Sequence, residues 1–398
     1  MQTRRERRHP TKTIRFTSVL LLLVVVGALP SRAESQPQPG GSPPSPEPAI
    51  PAILAAFDQY EVVGMTEAHG EKDIDDLILT LIRTPAFSEK VNDIVVECGN
   101  SLYQPALDRY IAGEDVPFTE VRKVWRNTTQ PMCDLSAFFA ELFPLVRVIN
   151  KKLPAEKRLR LLAGDPPIDW DQVKTSHDRE SFVAMRDDSI ATVMEKEVLS
   201  KRRKALMLFG TFHLMHGIGN YGGVSIYEKR YPGLTFVISD LGNFDTDQPT
   251  LASSPFAAWP NPSLVRAKGT SLGALDLGHF FPQQFRIDKD CNAQPIEWPK
   301  ELQKPMEELV DAFLYLGPQD LRLREKTVAE VALDSDYIGE RLRRQALMGF
   351  PGEANTLADF NHQIVDGADD PILHVPKTPV GPMQGCLDRK SRNSPSNN

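Results

Sequence analysis

Four ionisable side chains stand where strand-like runs end, and their types suit acid–base chemistry. Val62 to Gly70 reads VVGMTEAHG, an apolar run stopping at Glu67 and His69. Asp93 to Cys98 (DIVVEC) buries Glu97 in an otherwise apolar run. Ala205 to His213 (ALMLFGTFH) ends on His213. A carboxylate inside a buried run costs several kcal/mol unless it is paired or hydrogen-bonded, so Glu97 needs partners. Imidazoles and carboxylates brought together shift each other's pKa and can move protons. The same groups ligate divalent metals, zinc or manganese being the cofactors such a set would suit. Arg126 and Arg83 are the arginines considered as carboxylate partners.

Other ionisable residues carry weaker signals. Asp165 precedes two prolines and reads as a turn residue; Asp240 and His216 read as structural or supporting groups. His177, His279, His362 and His374 lie in polar or irregular stretches. Neither a Gly-x-Ser-x-Gly elbow nor a P-loop is present, which argues against serine hydrolases and nucleotide hydrolysis.

These positions require strands alternating with helices. Strand patterns cover Tyr60–Thr66, Asp93–Cys98, Arg160–Ala163, Lys204–Phe209, Leu234–Ser239 and Asp311–Leu316. Helical patterns cover Asp73–Arg83, Tyr103–Ala112, Phe118–Trp125, Leu135–Lys152, Asp178–Ser200, Val224–Arg230 and Tyr337–Met348. That alternation predicts one large α/β domain, residues 51–375, with a parallel or mixed central sheet flanked by helices. In such sheets ligands bind outside the carboxyl ends of the strands. Thr246–Pro305 reads as a long irregular insertion.

Both ends of the chain lie outside that domain. Arg4, Arg5, Arg7, Arg8, Lys12 and Arg15 precede an apolar stretch, Val19–Leu29, and then Ser31-Arg32-Ala33. This is the order of regions in a signal peptide, residues 1–33, and it predicts a secreted or periplasmic protein without a stable membrane anchor after cleavage. Residues 34–50 form a Pro/Gly/Ser-rich linker, and residues 376–398 a polar, disordered tail. A net charge of -7 gives no basic footprint for nucleic acid; the expected partner is a small-molecule or peptide substrate. Of the four cysteines, Cys133, Cys291 and Cys386 are expected to supply one disulfide, with Cys98 buried.

GMTEAHG resembles the opening Gly-Glu-x-x-His-Gly motif of erythromycin esterases and their relatives. VVEC resembles the glutamate-bearing second strand of that superfamily, and LFGTFHL its later histidine motif. The same broad group is similar to ChaN-like haem-binding proteins and Tiki-type metalloproteases. Here Met65 and Thr66 stand between Gly64 and Glu67, where the family's glutamate follows the glycine directly. The resemblance implies His69 as the base that activates water, with Glu67, Glu97 and His213 around it. The expected function is therefore a secreted hydrolase of ester, lactone or amide bonds. Glu97 or Glu67 would orient His69, and His213 would polarise the carbonyl or share a metal. The alternative is a periplasmic haem- or metal-binding protein without turnover. A third reading, an inert scaffold, requires the strand-end residues to be scattered in space.

Overall fold

The computed structural model describes residues 40–130, 132–241, 256–281, 285–287, 291–318, 321–325 and 328–348. The expected signal peptide, residues 34–39 of the expected linker and the expected tail lie outside them, as do Cys386, His362 and His374.

Eight strands build one sheet. In chain order its strands are β1 (Glu47–Pro48), β2 (Val62–Thr66), β3 (Asp93–Asn100), β4 (Arg160–Asp165), β5 (Ala205–Phe209), β6 (Thr235–Asp240) and β7 (Ser263–Arg266). β8 (Phe285–Ile287) and β9 (Ala293–Pro295) form a separate antiparallel pair, and β10 (Ala312–Tyr315) returns to the main sheet. The spatial order is β1-β7-β10-β6-β2-β5-β3-β4. From β10 to β4 all pairings are parallel; β1 and β7 add antiparallel strands at one edge. The sheet is thus mixed, and the α/β class expected from the alternation holds.

The central strands read as continuous apolar runs because both faces are covered. On one face Val63, Met65, Ile94, Val96, Leu206 and Leu208 pack with the helices Lys72–Arg83, Phe118–Arg126 and Ala137–Asn150. On the other, Val62, Val95, Met207 and Phe209 meet Ile190 and Met194. Strand alternation puts Glu97 on this second face with Val95. Asp93, fully buried at the start of β3, is held by the guanidinium groups of Arg160 and Arg203.

Several elements depart from the sequence pattern. The expected long helix Asp178–Ser200 is two α-helices, Ser176–Ala184 and Arg186–Val193, then a π-turn at Met194–Val198. The break falls at Met185, and the second helix opens with Arg186 and Asp187. The supposedly irregular insertion supplies strand β7, which pairs with both β1 and β10. Cys98 is bonded to Cys133, contrary to the expectation that left Cys98 single. Cys98 follows Glu97 on the opposite face of β3, so its sulfur reaches the loop ahead of the helix Ala137–Asn150. Cys291 is also disulfide-bonded.

Candidate active site

Strands β2, β5, β3 and β4 are neighbours in that order, all parallel, so their carboxyl ends form one edge. Glu67 follows β2 directly, its N–H donating to the Phe209 carbonyl at 3.0 Å. Gly70, at φ +90, turns the chain toward the helix Lys72–Arg83 and leaves His69 at the sheet edge. Along β3 the pairing with β4 shifts register between Val96 and Asn100, opening the ladder beside Glu97. β5 stops at Phe209, and Gly210 begins the short turn of helix Thr211–Leu214 that carries His213.

Glu97 is the hub. It is 2% exposed, and its Oε2 accepts the Gly210 N–H at 2.6 Å. Its Oε1 accepts a hydrogen bond from Arg186 Nη2 and lies 3.8 Å from His69 Nε2 and 3.7 Å from His213 Nε2. Burial pushes the Glu97 carboxyl up, but His69, His213 and Arg186 outweigh it and hold the group well below the usual carboxylate range. A Cβ at position 210 would come within 3.3 Å of Glu97 Oε2, so glycine lets the backbone donor approach.

Each histidine has its own carboxylate. His69 Nδ1 lies 3.0 Å from Glu67 Oε2; His213 Nδ1 lies 2.5 Å from Asp187 Oδ1. Asp187, an ionised carboxylate that only accepts hydrogen bonds, fixes the Nδ1–H form of His213 and turns its Nε2 toward Glu97, whereas Glu67 faces His69 as an ion-pair partner. Burial alone would depress the His69 pKa; Glu67 and Glu97 outweigh it and hold the ring protonated well above its ordinary range. Burial likewise raises Asp187, but the His213 bond, a backbone bond from Gly222 and the charge of Arg186 carry it below normal.

Arg186 binds two carboxylates, Glu97 and, at 3.2 Å, Asp165 Oδ1. Asp165 also accepts from Thr129 N and Thr129 Oγ1, each at 2.6 Å. Burial pushes its pKa up to about 6 despite Arg186 and those bonds. Asp165 is therefore part of the cluster and more than a turn residue.

Glu67, His69, Glu97 and His213 come together as expected; Arg126 does not join them. Its guanidinium bonds Asp334 Oδ2 at 3.2 Å and stacks on Tyr337 at 4.6 Å. The helix Phe118–Arg126 points that side chain toward the helix Ser335–Leu347, and Arg186 takes the place expected for Arg126. Arg83 is exposed at its helix end. Arg186 and Asp187 were obscured by a charged stretch; the adjacent Arg-Asp pair at a helix start is the one signal that marked them. His216 is structural, its ring between Glu228 and Asp311 at 2.9 Å each.

A divalent metal does not fit these donors. Among the described residues, the only three His, Cys and carboxylate ligand atoms within 4.8 Å of one another are those of His69, Cys98 and Cys133. The two sulfurs are bonded to each other and so are not the thiolates a metal requires.

Behind His69 lies a second electrostatic feature. Asp75 is 4% exposed, and neither carboxylate oxygen has a hydrogen-bond partner. Burial, with the nearby charges of Glu325 and Glu67, raises its pKa to about 9. A carboxyl group whose folded pKa exceeds its unfolded value loses stability as pH rises between the two. Asp75→Asn should therefore raise the melting midpoint, by more at pH 8 than at pH 5. Thermal melts at both pH values test this; an equal or negative change at pH 8 would contradict it.

No family model matches this chain, and no curated protein does. Three solved structures are similar to this chain, each with a TM-score below 0.5. A crystal structure of a protein from Bacillus cereus is 10% identical, with a TM-score of 0.42, covering 69% of this chain and 94% of its own. The type III effector HopBA1 is 14% identical, with a TM-score of 0.32, covering 51% and 87%. The ChaN protein of Campylobacter jejuni, solved with cofacially bound haem, is 13% identical, with a TM-score of 0.28, covering 48% and 84%. The chemistry of the site has to be argued from its own residues.

Proposed function

We propose that this protein is a hydrolase of ester, lactone or amide bonds, with His213 as general base and His69 as general acid. The observation that carries this reading is one carboxylate, Glu97, facing the Nε2 atoms of two histidines whose Nδ1 atoms are held by separate carboxylates. A pair of titratable groups in different environments marks an acid and a base. His69, held protonated by Glu67 and Glu97, is poorly suited to be the base the family resemblance implied and well suited to donate a proton.

In the proposed reaction His213 Nε2 takes a proton from water as the water oxygen bonds to the substrate carbonyl carbon. The tetrahedral adduct collapses, the bond to the leaving atom breaks, and that atom takes the proton of His69. The proton on His213 returns to His69 through solvent, and the products are a carboxylic acid and an alcohol or amine. Arg186 and the Gly210 N–H hold Glu97 still throughout. The esterase-like superfamily is the proposed home of this chemistry, and the segment 1–33 the proposed export signal.

Hydrolysis of a panel of esters, lactones and amides, with and without chelator, tests the reading. Turnover should survive chelation, and its alkaline limb should lie above the ordinary imidazole range because His69 must be protonated. Glu67→Gln removes the first of the two charges raising His69 and should move that limb down by about one unit or more. An unmoved limb would assign the acid to another group. No turnover across the panel, with a haem Soret band that disappears in His213→Ala, would favour the binding reading.

A further inference from the structure

An apolar cleft of about 200 Å³ opens beside the proposed reaction centre, with His213 and Asp187 among its lining residues. Its walls are Phe212, Ile218, Pro299 and Leu302. Ile218 and Leu302 are themselves 2% and 8% exposed, so their buried bodies form a fixed floor. Phe212 is braced from behind by Phe281 and by Trp298, stacked on it at 5.8 Å. Tyr221, 65% exposed, and the carboxylate of Glu301 stand among the lining residues. Pro299, Glu301 and Leu302 come from the segment that the sequence read as an irregular insertion.

We infer, on the hydrolase reading above, that this cleft binds the acyl side of the substrate: an uncharged, apolar group of about six heavy atoms bonded to the scissile carbonyl. The leaving group departs toward His69, which protonates it, so the other substituent of the carbonyl lies on the side of His213, whose ring lines the cleft. At roughly the 30 Å³ that a water-sized group occupies in a liquid, the cleft holds about six such groups. The carboxylates of Asp187 and Glu301 in its lining repel an acyl group that ends in a carboxylate. Burial of each methylene is worth about 0.8 kcal/mol, which sets the length dependence to look for.

The test is a series of 4-nitrophenyl esters, from acetate through butyrate and hexanoate to octanoate, with the hemisuccinate as the charged control. kcat/KM should rise about fourfold per added methylene up to hexanoate, then level off, and the hemisuccinate should be a poorer substrate than butyrate. Leu302→Trp should flatten the series, so that hexanoate loses its advantage over acetate. Turnover of acetate with a flat wild-type series would overturn the cleft assignment and leave the hydrolase reading standing. If no ester is turned over, the hydrolase reading fails, and calorimetric titration of the wild-type protein with hexanoate then decides the cleft. Saturable binding that Leu302→Trp weakens at least tenfold supports an apolar acid site; absence of binding overturns it.

Discussion

Replacing His213 with alanine should lower kcat by about 10²–10⁴-fold on any substrate the protein hydrolyses, the usual contribution of a positioned proton-transfer group. The fold should survive, because the ring is partly exposed beside a cleft and supports little of either core. Its Nδ1 is engaged by Asp187, so Asp187→Asn should lose activity through the wrong tautomer while keeping the ring in place. His69→Ala should cause a loss of similar size. The double variant should fall little further than either single one, since acid and base act on the same proton-transfer sequence. Steady-state kinetics on purified variants, with melting curves as controls for folding, measure all four. Activity of His213→Ala within threefold of wild type would remove His213 from the chemistry.

Glu97→Ala should damage both stability and turnover. Glu97 is buried and satisfies a guanidinium, a backbone N–H and the charge of His69. Removing one partner of a buried ion pair typically costs about 3–5 kcal/mol, because the remaining charge stays buried without compensation. Here the stranded group is Arg186, whose second carboxylate, Asp165, is itself pushed up to about 6 and is a weaker anchor. Glu97→Gln should lose less, since its amide oxygen can still accept from Gly210. Chemical denaturation of both variants reads the difference. A loss below about 1 kcal/mol in Glu97→Ala would mean that Glu97 is not the hub of the cluster. Since its folded pKa is depressed, the stability Glu97 adds is present above its unfolded pKa and disappears as pH falls through the folded one.

The strand-end histidines and glutamates were legible because strand periodicity marks where each run stops, and apolar neighbours make a buried carboxylate conspicuous. Arg186 and Asp187 were not, because a charged stretch with helical spacing reads as a solvated face until the helix is known to break at Met185. The choice of Arg186 over Arg126 depends on which helix lies over which sheet face, and sequence spacing holds no information on that. Likewise β7 is four residues long, too short for periodicity to distinguish from loop, and its strand character comes from its partners. The Cys98–Cys133 bond joins a strand to a loop, so local pattern offered no reason to pair them. The proposed assignment of His69 as acid rests on a related point: proximity of Glu67 to His69 was readable, but the added charge of Glu97, from a strand two places away in the sheet, was not.

The turn bearing His69 is closed by residues from far along the chain. Glu325 N–H donates to the Gly70 carbonyl at 2.8 Å, Lys72 N–H to the Leu323 carbonyl at 3.0 Å, and Arg322 pairs with Glu71. Glu325 in turn accepts from Ser136 Oγ and the Phe138 N–H, at 2.7 and 2.6 Å. During synthesis, then, the strands carrying Glu67, Glu97 and His213 are complete roughly a hundred residues before the segment that fixes the His69 turn has been made. Contacts of such long sequence separation form late in folding. A nascent or truncated chain ending near residue 318 would carry every proposed reacting group yet lack the clasp that holds one of them, so the proposed site is completed only by the distal part of the polypeptide.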